Sequence, residues 1–479
     1  MSEIHRQHPV AAISYATGTI KDFLVPFVVI VLLGGQADGA RTYYIVGAAV
    51  IVIGLLFAGF LSWLRYTYRI EDGELKIEYG VFVKKRHFVQ SSRIQVINIT
   101  SGVVQRIFGL VSVEVKTAGE STSEAIISAV TREAAEEIQT LLGKTTRNEE
   151  VRDPHTIMRL SKKDQLIAAS TAGSFGIALS IIGTITSQLN QFISDTQIYE
   201  YLESLELPGT NLIIIMVMAM VIMAWILSLF GTMIKYSGFT LTRNRDELIM
   251  ARGLFERKQL TIPYSRIQAV RIVQGILRQP FGFATIYVDT AGYGDESGSS
   301  TVLFPLIKVD QLEDFIKDNL PDYKVNVSAV IPPARALRRY IIKSIIPALI
   351  IIVPVTMLFQ FGYISLLLLP LAAGLGVKRF HDAGVGFNDD ALVMRFRNLA
   401  LTTAIVKKRC IQASDMHSIY FQRKRNLVNF LVTVASGRAG AVFRVSELDQ
   451  DNGNELMTWT SLPSDNDDLT DSTVRLPYW

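Results

Sequence analysis

Residues 80–119 read GVFVKKRHFVQSSRIQVINITSGVVQRIFGLVSVEVKTAG, and residues 253–292 read GLFERKQLTIPYSRIQAVRIVQGILRQPFGFATIYVDTAG. The stretches align without a gap at an offset of 173 residues and share Ser-Arg-Ile-Gln, Phe-Gly and Thr-Ala-Gly. The positions that define this repeat are Arg93, Gln95 and Gly109 in copy one and Arg266, Gln268 and Gly282 in copy two. Self-similarity at a fixed spacing is typical of a duplicated structural unit. We therefore expect copies one and two to fold alike.

A third, degenerate copy follows near the end of the chain. Ile411-Gln412 survives from the Ser-Arg-Ile-Gln motif, with Cys410 in place of the arginine. The sequence suggests that Leu427–Asn429 replaces the Phe-Gly turn and that Leu431–Gly437 forms the last strand, one residue out of step. We therefore expect copy three to deviate from the others at the turn near Asn426.

Each copy has the pattern of short strands followed by one helix. Residues 96–99 and 111–115 alternate, or nearly alternate, apolar and polar side chains, as half-buried strands do. In copy two, Asp310 and Glu313 have the spacing of a capping box, and in copy three Gly453 interrupts the helical pattern. The helical patterns span Thr131–Leu142, Asp310–Leu320 and Ser446–Leu456. The patterns predict a small barrel or sandwich with a helix at its open end.

Six apolar stretches stand out, and one pair precedes each copy. They span Ile20–Gly35, Tyr44–Leu64, Leu166–Leu189, Leu212–Ile234, Ile341–Phe359 and Tyr363–Val377. A membrane-spanning helix needs about 20 mostly apolar residues, which the second, third and fourth stretches clearly provide. The first stretch is short and begins at Lys21-Asp22, and the short sixth stretch contains Pro370, so a tilted or re-entrant helix is an alternative for both. With 49% hydrophobic and 19% charged residues, the 479-residue chain fits a mixture of membrane and aqueous parts.

Basic residues are distributed unevenly around these stretches. Residues 190–211 contain no Lys or Arg, whereas basic residues flank the second pair on both outer sides. The third pair repeats this pattern, while Arg41 in the first connecting loop departs from it. The basic residues before the third pair are Arg335, Arg338, Arg339 and Lys343. Because cytoplasmic loops carry an excess of Lys and Arg, we expect both termini and all three β-rich parts to be cytoplasmic.

Together these motifs resemble the bacterial pleckstrin-homology (PH) domain family, also called the membrane-flanked domain group. The resemblance covers nearly the whole chain and rests on the sequence G-x-F/L…S-R-I-Q…F-G…T-A-G after paired apolar stretches. It implies a curved seven-stranded antiparallel sheet closed by a C-terminal helix. It also implies a bacterial plasma-membrane location, a smaller single-unit protein partner of the same family, and a role in envelope stress or resistance to membrane-active peptides.

The sequence thus predicts membrane α-helices combined with soluble β-domains: six transmembrane helices in three pairs, each pair followed by a PH-like antiparallel barrel with a C-terminal helix. The predicted divisions are a first helix pair at 1–65, PH-like domain one at 66–145, a linker and second pair at 146–235, domain two at 236–322, a linker and third pair at 323–380, the degenerate domain three at 381–460 and a tail at 461–479.

Basic residues after the first glycine of the repeat are candidates for contact with lipid or a partner. They are Lys84, Lys85 and Arg86 in copy one and Arg257 and Lys258 in copy two. A basic side chain near an anionic membrane surface gains about 1 kcal/mol, although ordinary cytoplasmic positive charge explains these residues equally well. Arg93 and Arg266 suggest either an anion contact or structural arginines. Gly109 and Gly282 suggest turns with positive φ, each with the preceding Phe in the core.

No pattern in the sequence indicates catalysis, a metal site or a cofactor. The six histidines are scattered without metal-ligand spacing, and there is no phosphate-binding loop or nucleophile elbow. A net charge of +4 does not indicate a nucleic-acid partner. We therefore expect a non-enzymatic membrane scaffold whose domains bind protein partners, one another or the bilayer, with oligomers possible. The alternative is a subunit of a transport or channel complex, which the scarcity of ionisable residues in the apolar stretches disfavours.

Overall fold

The structure is a computed structural model that describes residues 4–13, 15, 41–71, 73–80, 83–117, 125–142, 155–171, 180, 209–244, 247–291, 300–324, 330–358, 362–436 and 440–462. Two units make up the chain. Unit one comprises Met1–Leu160 and Ile234–Tyr264, and unit two comprises Ser161–Met233 and Ser265–Trp479. The strands of copy two are divided between the units, because the boundary falls after Tyr264.

Unit one contains all of copy one and the first strands of copy two. Its elements are β1 His5–Arg6, α1 Arg41–Arg65, β2 Thr67–Glu71, β3 Glu74–Tyr79, β4 Lys85–Gln90, β5 Ile94–Ser101, α2 Val103–Ile107, β6 Leu110–Thr117, β7 Ala125–Thr131, α3 Arg132–Leu142, β8 His155–Arg159, the end of α5 (Gly209–Lys235), β9 Thr240–Asn244, β10 Glu247–Arg252 and β11 Arg257–Pro263. A four-stranded antiparallel sheet has the order β1-β2-β3-β4, and a seven-stranded sheet has the order β7-β6-β5-β11-β10-β9-β8. Apolar residues from β2 to β7 and from α3 form one core, which includes Leu75, Ile77, Val113, Ile127 and Ile138.

Unit two contains the remaining strands of copy two and all of copy three. Its elements are α4 Lys162–Ser170, most of α5, β12 Ile267–Gln274, β13 Phe283–Thr290, β14 Thr301–Lys308, α6 Leu312–Asn319, α7 Leu337–Leu358, α8 Leu368–Asp382, β15 Gly384–Phe387, β16 Ala391–Arg397, β17 Leu401–Lys407, β18 Ile411–His417, α9 Tyr420–Arg423, β19 Leu427–Val434, β20 Ala441–Asp449 and α10 Gln450–Ser461. A six-stranded sheet has the order β14-β13-β12-β17-β16-β15, and β18-β19-β20 form a three-stranded sheet. Short 3₁₀ turns lie at Ser91–Arg93, Tyr264–Arg266, Gln279–Phe281, Val309–Gln311, Pro321–Tyr323, Ala334–Ala336, Gly362–Leu367 and Lys408–Cys410.

Copy three keeps step with copy two at an offset of 144 residues through β19. The strand β13 ends at Thr290 and β19 ends at Val434, so the last strand of the repeat is Leu427–Val434 and the expected Leu431–Gly437 was wrong. The turn that replaces Phe-Gly is Arg425-Asn426, and not Leu427–Asn429. Asn426 has φ 48° where Gly282 has φ 64°, because asparagine tolerates the left-handed conformation that this turn requires. The turn therefore has the same length in both copies.

Two helix predictions also need correction. The last helix of copy three is Gln450–Ser461 and not Ser446–Leu456, because residues 446–449 continue β20. Gly453 fits inside this helix, since a Cβ there would lie 2.6 Å from Val428 Cγ2. In copy two, α6 begins at Leu312 with Gln311 as its N-cap and without a side-chain cap, so the capping box expected at Asp310 and Glu313 does not form.

Three helices are long and apolar enough to span a membrane within the described part of the chain. They are Met218–Lys235, Ala334–Leu358 and Gly362–Asp382, the last including the 3₁₀ turn before α8. The helices of the third pair pack closely: a Cβ on Gly376 would lie 2.6 Å from Ile341 Cα. Pro370 lies in the first turn of α8, where a proline removes no helical hydrogen bond. The second stretch forms α1, whereas the first stretch and most of the third lie outside the described residues.

Each segment that precedes an apolar pair bonds to the strand that follows the pair. In unit one, β1 pairs with β2 and β8 pairs with β9. In unit two, Val330 and Val385 exchange backbone hydrogen bonds of 2.6 and 2.9 Å. The chain therefore leaves a sheet through each apolar pair and returns to the same sheet.

Candidate functional site

Strand pairing joins copy one to copy two within unit one. The edge strand β5 of copy one pairs antiparallel with β11 of copy two, with Ser101 opposite Arg257, Thr100 opposite Lys258 and Ile99 opposite Gln259. A strand edge presents unpaired backbone N–H and C=O groups that another strand can satisfy. The two copies thereby share one continuous seven-stranded sheet.

The junction between copies two and three repeats this arrangement within unit two. The strand β12 pairs antiparallel with β17, from Ala269 opposite Val406 to Gln274 opposite Leu401. When the offsets of 173 and 144 residues are applied, the three pairs of the first junction coincide with three pairs of the second. Both junctions therefore use the same two strands of the repeat in the same register.

A buried carboxylate adds a side-chain contact to the second junction. Asp289 on β13 is fully buried, accepts a hydrogen bond from Ser436 Oγ at 3.0 Å and forms a 2.8 Å ion pair with Arg271. The Arg271 guanidinium also lies over the ring of Phe443 from copy three, 5.9 Å from its centroid. A charge taken out of water in this way is stable only when it is paired and hydrogen-bonded. These contacts fasten copy three to copy two.

The basic candidates of copy one lie on the β3–β4 hairpin beside an acidic residue. Lys84 and Arg86 form ion pairs of 2.7 and 3.1 Å with Glu78, whereas Lys85 is at the start of β4, opposite Tyr79. The hydrogen bond from Lys84 lowers the pKa of Glu78, and the charges of Lys84 and Arg86 lower it further. The charge that copy one offers to an anion is therefore partly neutralised.

The basic candidates of copy two occupy the strand that forms the first junction. Arg257 and Lys258 are the first two residues of β11, opposite Ser101 and Thr100, and Lys258 lies 3.7 Å from Glu256. Because β4 and β11 belong to different sheets, the five basic candidates do not lie along one shared strand pair or hairpin.

The repeat-defining residues surround the turn between the fourth and fifth strands. Arg93 ends one 3₁₀ turn and Arg266 ends its equivalent, with Gln95 and Gln268 one residue into β5 and β12. Arg93 is exposed and lines a cavity of about 150 Å³ together with Glu74, Phe88, Val89, Gln90 and Thr117. Arg266 is half-buried, and its carbonyl accepts a hydrogen bond from Ala291 N at 3.1 Å. The two arginines therefore have different surroundings.

The glycines of the Phe-Gly turns have the expected backbone, but the phenylalanines do not lie in the core. Gly109 and Gly282 have φ of 67° and 64°, whereas Phe108 and Phe281 are 55% and 68% exposed. They belong to exposed apolar segments at 103–108, 276–281 and 419–421, which we call the apolar loops. The exposed apolar side chains of these loops are Val103, Ile107, Phe108, Ile276, Leu277, Phe281, Ile419, Tyr420 and Phe421.

In unit two the apolar loops lie beside the ends of helices that belong to the apolar stretches. Arg278, in the loop of copy two, donates hydrogen bonds to Ala168 O and Thr171 Oγ1 at the end of α4. Arg335, just before α7, donates to the carbonyl of Arg425 at 2.9 Å, next to the loop of copy three. Contiguous exposed apolar residues commonly mark a membrane or protein contact.

A buried ion cluster that the sequence did not reveal anchors copy three to α7. Glu447 is fully buried at a bulge of β20, pairs with Arg339 at 2.8 Å and Lys343 at 2.5 Å, and has φ 61°. Tyr340 on the same helix donates to the carbonyl of Ser446. The basic residues that indicated membrane orientation thus also hold the β-domain. The only sequence signal was a helical i, i+4 pair of cations with no nearby acid.

No group of three or more His, Cys, Asp or Glu side chains could hold a metal ion within the part of the chain that the structure describes. The lone cysteine, Cys410, is half-buried, with Sγ 4.0 Å from the carbonyl oxygen of Ile267. Burial raises the pKa of its thiol, an effect that the nearby positive charges of Arg409 and Lys407 only partly offset.

Comparison with known proteins identifies the repeat. The bacterial PH domain family model matches residues 21–146 and 196–321, and copy three lies outside the matched ranges. A protein of Bacillus subtilis (strain 168) described as UPF0699 transmembrane protein YdbT is 33% identical over 487 residues, which cover 96% of this chain and 99% of the relative. Neither description names a catalytic activity. On the repeated match and the nearly full-length similarity, this chain belongs to the bacterial PH domain family and is a membrane protein.

Proposed function

We propose that this protein is an integral membrane scaffold whose PH-like domains bind protein surfaces through their strand edges. The observation that carries the proposal is the pair of junctions, β5 with β11 and β12 with β17, which use equivalent edges in one register. Main-chain hydrogen bonds along a sheet edge are a recurrent mode of protein recognition. In this chain the domains already use that mode for one another.

The basic candidates give less support to capture of anionic lipid headgroups. Lys84 and Arg86 are paired with Glu78, and Arg257 and Lys258 belong to a strand that is already paired. Exposed ion pairs of this kind contribute little and can rearrange, so weak lipid contact stays compatible with a scaffold. The apolar loops are a better candidate for contact with the bilayer, since they lie beside helix ends.

The proposal includes a location in the bacterial cell membrane with all three domains on the cytoplasmic side. Two observations support it. The chain returns to the same sheet after each apolar pair, which requires an even number of crossings in each interval. The excess of Lys and Arg on that side is typical of cytoplasmic segments.

Transport is the alternative, and the contacts of the third helix pair argue against it. Arg339 and Lys343 bind Glu447 of the β-domain, and Arg379 Nη1 donates to Ser344 Oγ at 3.0 Å. These ionisable groups therefore join helices to each other and to the domain. Intramembrane charges that serve transport face an ion or substrate pathway.

Photo-crosslinking in living cells tests the scaffold. A photoreactive amino acid would replace Phe88 on β4 in one variant and Asp415 on β18 in another, with Leu141 on α3 as an exposed control within copy one. Discrete protein adducts at either strand edge, but not at Leu141, support the proposal. The absence of a protein adduct at both edges would overturn it. A strain that lacks the chain should also become more sensitive to membrane-active peptides, as the proposed envelope role requires.

A further inference from the structure

Two strand edges that are equivalent to the joined edges lack a second neighbour in the described part of the chain. The strand β4 of copy one corresponds to β11 and β17, yet it pairs with β3 alone. The strand β18 of copy three corresponds to β5 and β12, yet it pairs with β19 alone. One chain therefore carries one free half of the junction at each end of its series of copies.

Side-chain exposure distinguishes these edges from the joined ones. Phe88 on β4 is 56% exposed, whereas the equivalent residues Thr261 on β11 and Ile405 on β17 are 8% and 6% exposed. On the opposite half of the junction, Ala413 of β18 is exposed, while the equivalent Ala269 of β12 is fully buried. A large apolar side chain on an open edge is the type of feature that soluble β-proteins normally protect.

We propose that β18 of one molecule pairs antiparallel with β4 of a second copy of this chain, in the register of the two internal junctions. This inference rests on the proposed function and names the partner. Applied to the free strands, the register puts Lys85 opposite His417, Arg86 opposite Met416 and Phe88 opposite Ser414. The pairing would supply neighbours for both edges and cover Phe88 as Thr261 and Ile405 are covered.

Charge complementarity favours a second copy as the occupant. The strand β4 begins with Lys85, Arg86 and His87, and β18 carries Asp415. In the proposed register Asp415 lies opposite His87 and diagonal to Lys85 on the same face of the sheet. Opposite charges at such cross-strand positions stabilise an antiparallel pair.

The contact is heterologous, because β4 of one molecule meets a different strand of the next. Each added molecule presents a new free β4 or β18, so repetition gives an open chain unless the rotation between copies closes a ring. Since the domains are attached to membrane helices, the chain would grow within the plane of the membrane. Such a series would extend the edge-to-edge pairing of copies one, two and three beyond a single molecule.

Disulfide cross-linking of full-length chains in lipid bilayers tests the register. Cys410→Ser removes the one native cysteine, after which Lys85→Cys and His417→Cys are introduced into separate chains and mixed. Opposite Cβ atoms in a sheet are about 5 Å apart, whereas a three-residue displacement adds about 10 Å. We therefore expect at least roughly tenfold more cross-linked dimer from Lys85→Cys with His417→Cys than from the mismatched pair Phe88→Cys with His417→Cys.

Self-association provides the second readout. Phe88→Lys should weaken association by about tenfold or more, because it removes a buried aromatic contact from the interface. Phe108→Lys is a matched control, since Phe108 is equally exposed but lies off the edge, and it should leave self-association unchanged in detergent. Equal cross-linking of matched and mismatched pairs, or a chain that stays monomeric at every concentration, would overturn the inference. If photo-crosslinking at Phe88 captures a different protein, the scaffold survives and the second copy is rejected.

Discussion

At the scale of single residues, Glu447 shows how strongly a tertiary contact can change the meaning of a charge. Arg339 and Lys343 were interpreted from the sequence as markers of membrane orientation. The structure pairs both with one fully buried carboxylate, which comes from more than 100 residues later in the chain. Their cationic side chains therefore orient the helix and also bind the domain.

Glu447→Gln should destabilise copy three, because it leaves the half-buried Arg339 and Lys343 without their anion. Removal of one partner from a buried ion pair costs on the order of 3 kcal/mol. Thermal unfolding of the detergent-solubilised chain should therefore begin at a lower temperature. The control is Glu78→Gln, which also removes a carboxylate with two basic partners, but these partners are 61% exposed. Equal changes in the two variants would contradict the role assigned to Glu447.

Cys410 provides a residue-scale test of burial and pH. Because burial raises the pKa of its thiol, the reactive thiolate should be scarce at pH 7 and should increase as the pH rises above the usual thiol pKa of about 8.5. Alkylation by iodoacetamide, followed by mass spectrometry, should therefore be slow at neutral pH and accelerate in alkaline buffer. A cysteine introduced by Ser92→Cys in the Cys410→Ser chain is the exposed comparison. Equal rates for the two thiols at pH 7 would show that Cys410 is not protected.

At the scale of elements, the apolar loops recur at the same point of every copy, between the fifth and sixth strands of the copy. Their residues differ, from Val103 to Ile276 to Tyr420, but the apolar character and exposure persist. A domain core does not require an exposed side chain at this point. The persistence therefore indicates a shared environment outside the β-domains.

If the apolar loops contact the bilayer, a spin label at Phe281→Cys in the Cys410→Ser chain should be accessible to oxygen and shielded from a water-soluble nickel chelate. Apolar side chains at the boundary between headgroups and acyl chains have this accessibility. The measurement is power saturation of the electron paramagnetic resonance signal in lipid bilayers. Leu141→Cys, which is similarly exposed on α3, should show the opposite preference. Identical preferences at the two positions would exclude a membrane contact for the loop.

At the scale of the whole molecule, each apolar interval leaves a sheet and returns to it. This arrangement fixes the soluble parts to one side more firmly than charge alone, because β1, β8 and Val330 bond to strands that follow the helices. It also accounts for the position of Arg41, the basic residue in the first connecting loop that agreed least with the charge pattern. A single exception in a loop does not change which strands the chain ends must reach.

Cysteine labelling of intact cells tests this topology. In the Cys410→Ser chain, a membrane-impermeant maleimide should modify Glu200→Cys and should leave Ser92→Cys unmodified until the cells are opened. Glu200 lies in the loop without Lys or Arg, which we expect outside, and Ser92 lies in copy one. Modification of Ser92→Cys in intact cells, without modification of Glu200→Cys, would reverse the orientation.

The amino-acid sequence by itself determined the repeat, the strand-rich domains and the presence of apolar helices. The ungapped match of residues 80–119 to 253–292 carried the family resemblance, and Gly109 and Gly282 were correctly expected to have positive φ. These features are local, since they depend on side-chain alternation, on run length and on the backbone freedom of glycine. Copy three was harder to align, because Asn426 satisfies the turn without the glycine that marks it in the other copies.

Only the tertiary structure decided how the copies are joined and what their charged and aromatic residues contact. A strand pattern shows that an edge exists, but it does not show which distant strand supplies the missing hydrogen bonds. For that reason the pairing of β5 with β11, the exposure of Phe108 and Phe281, and the burial of Glu447 beside Arg339 could not be inferred beforehand. Their energies depend on the desolvation of groups that are far apart in the chain, and desolvation is a property of the folded arrangement.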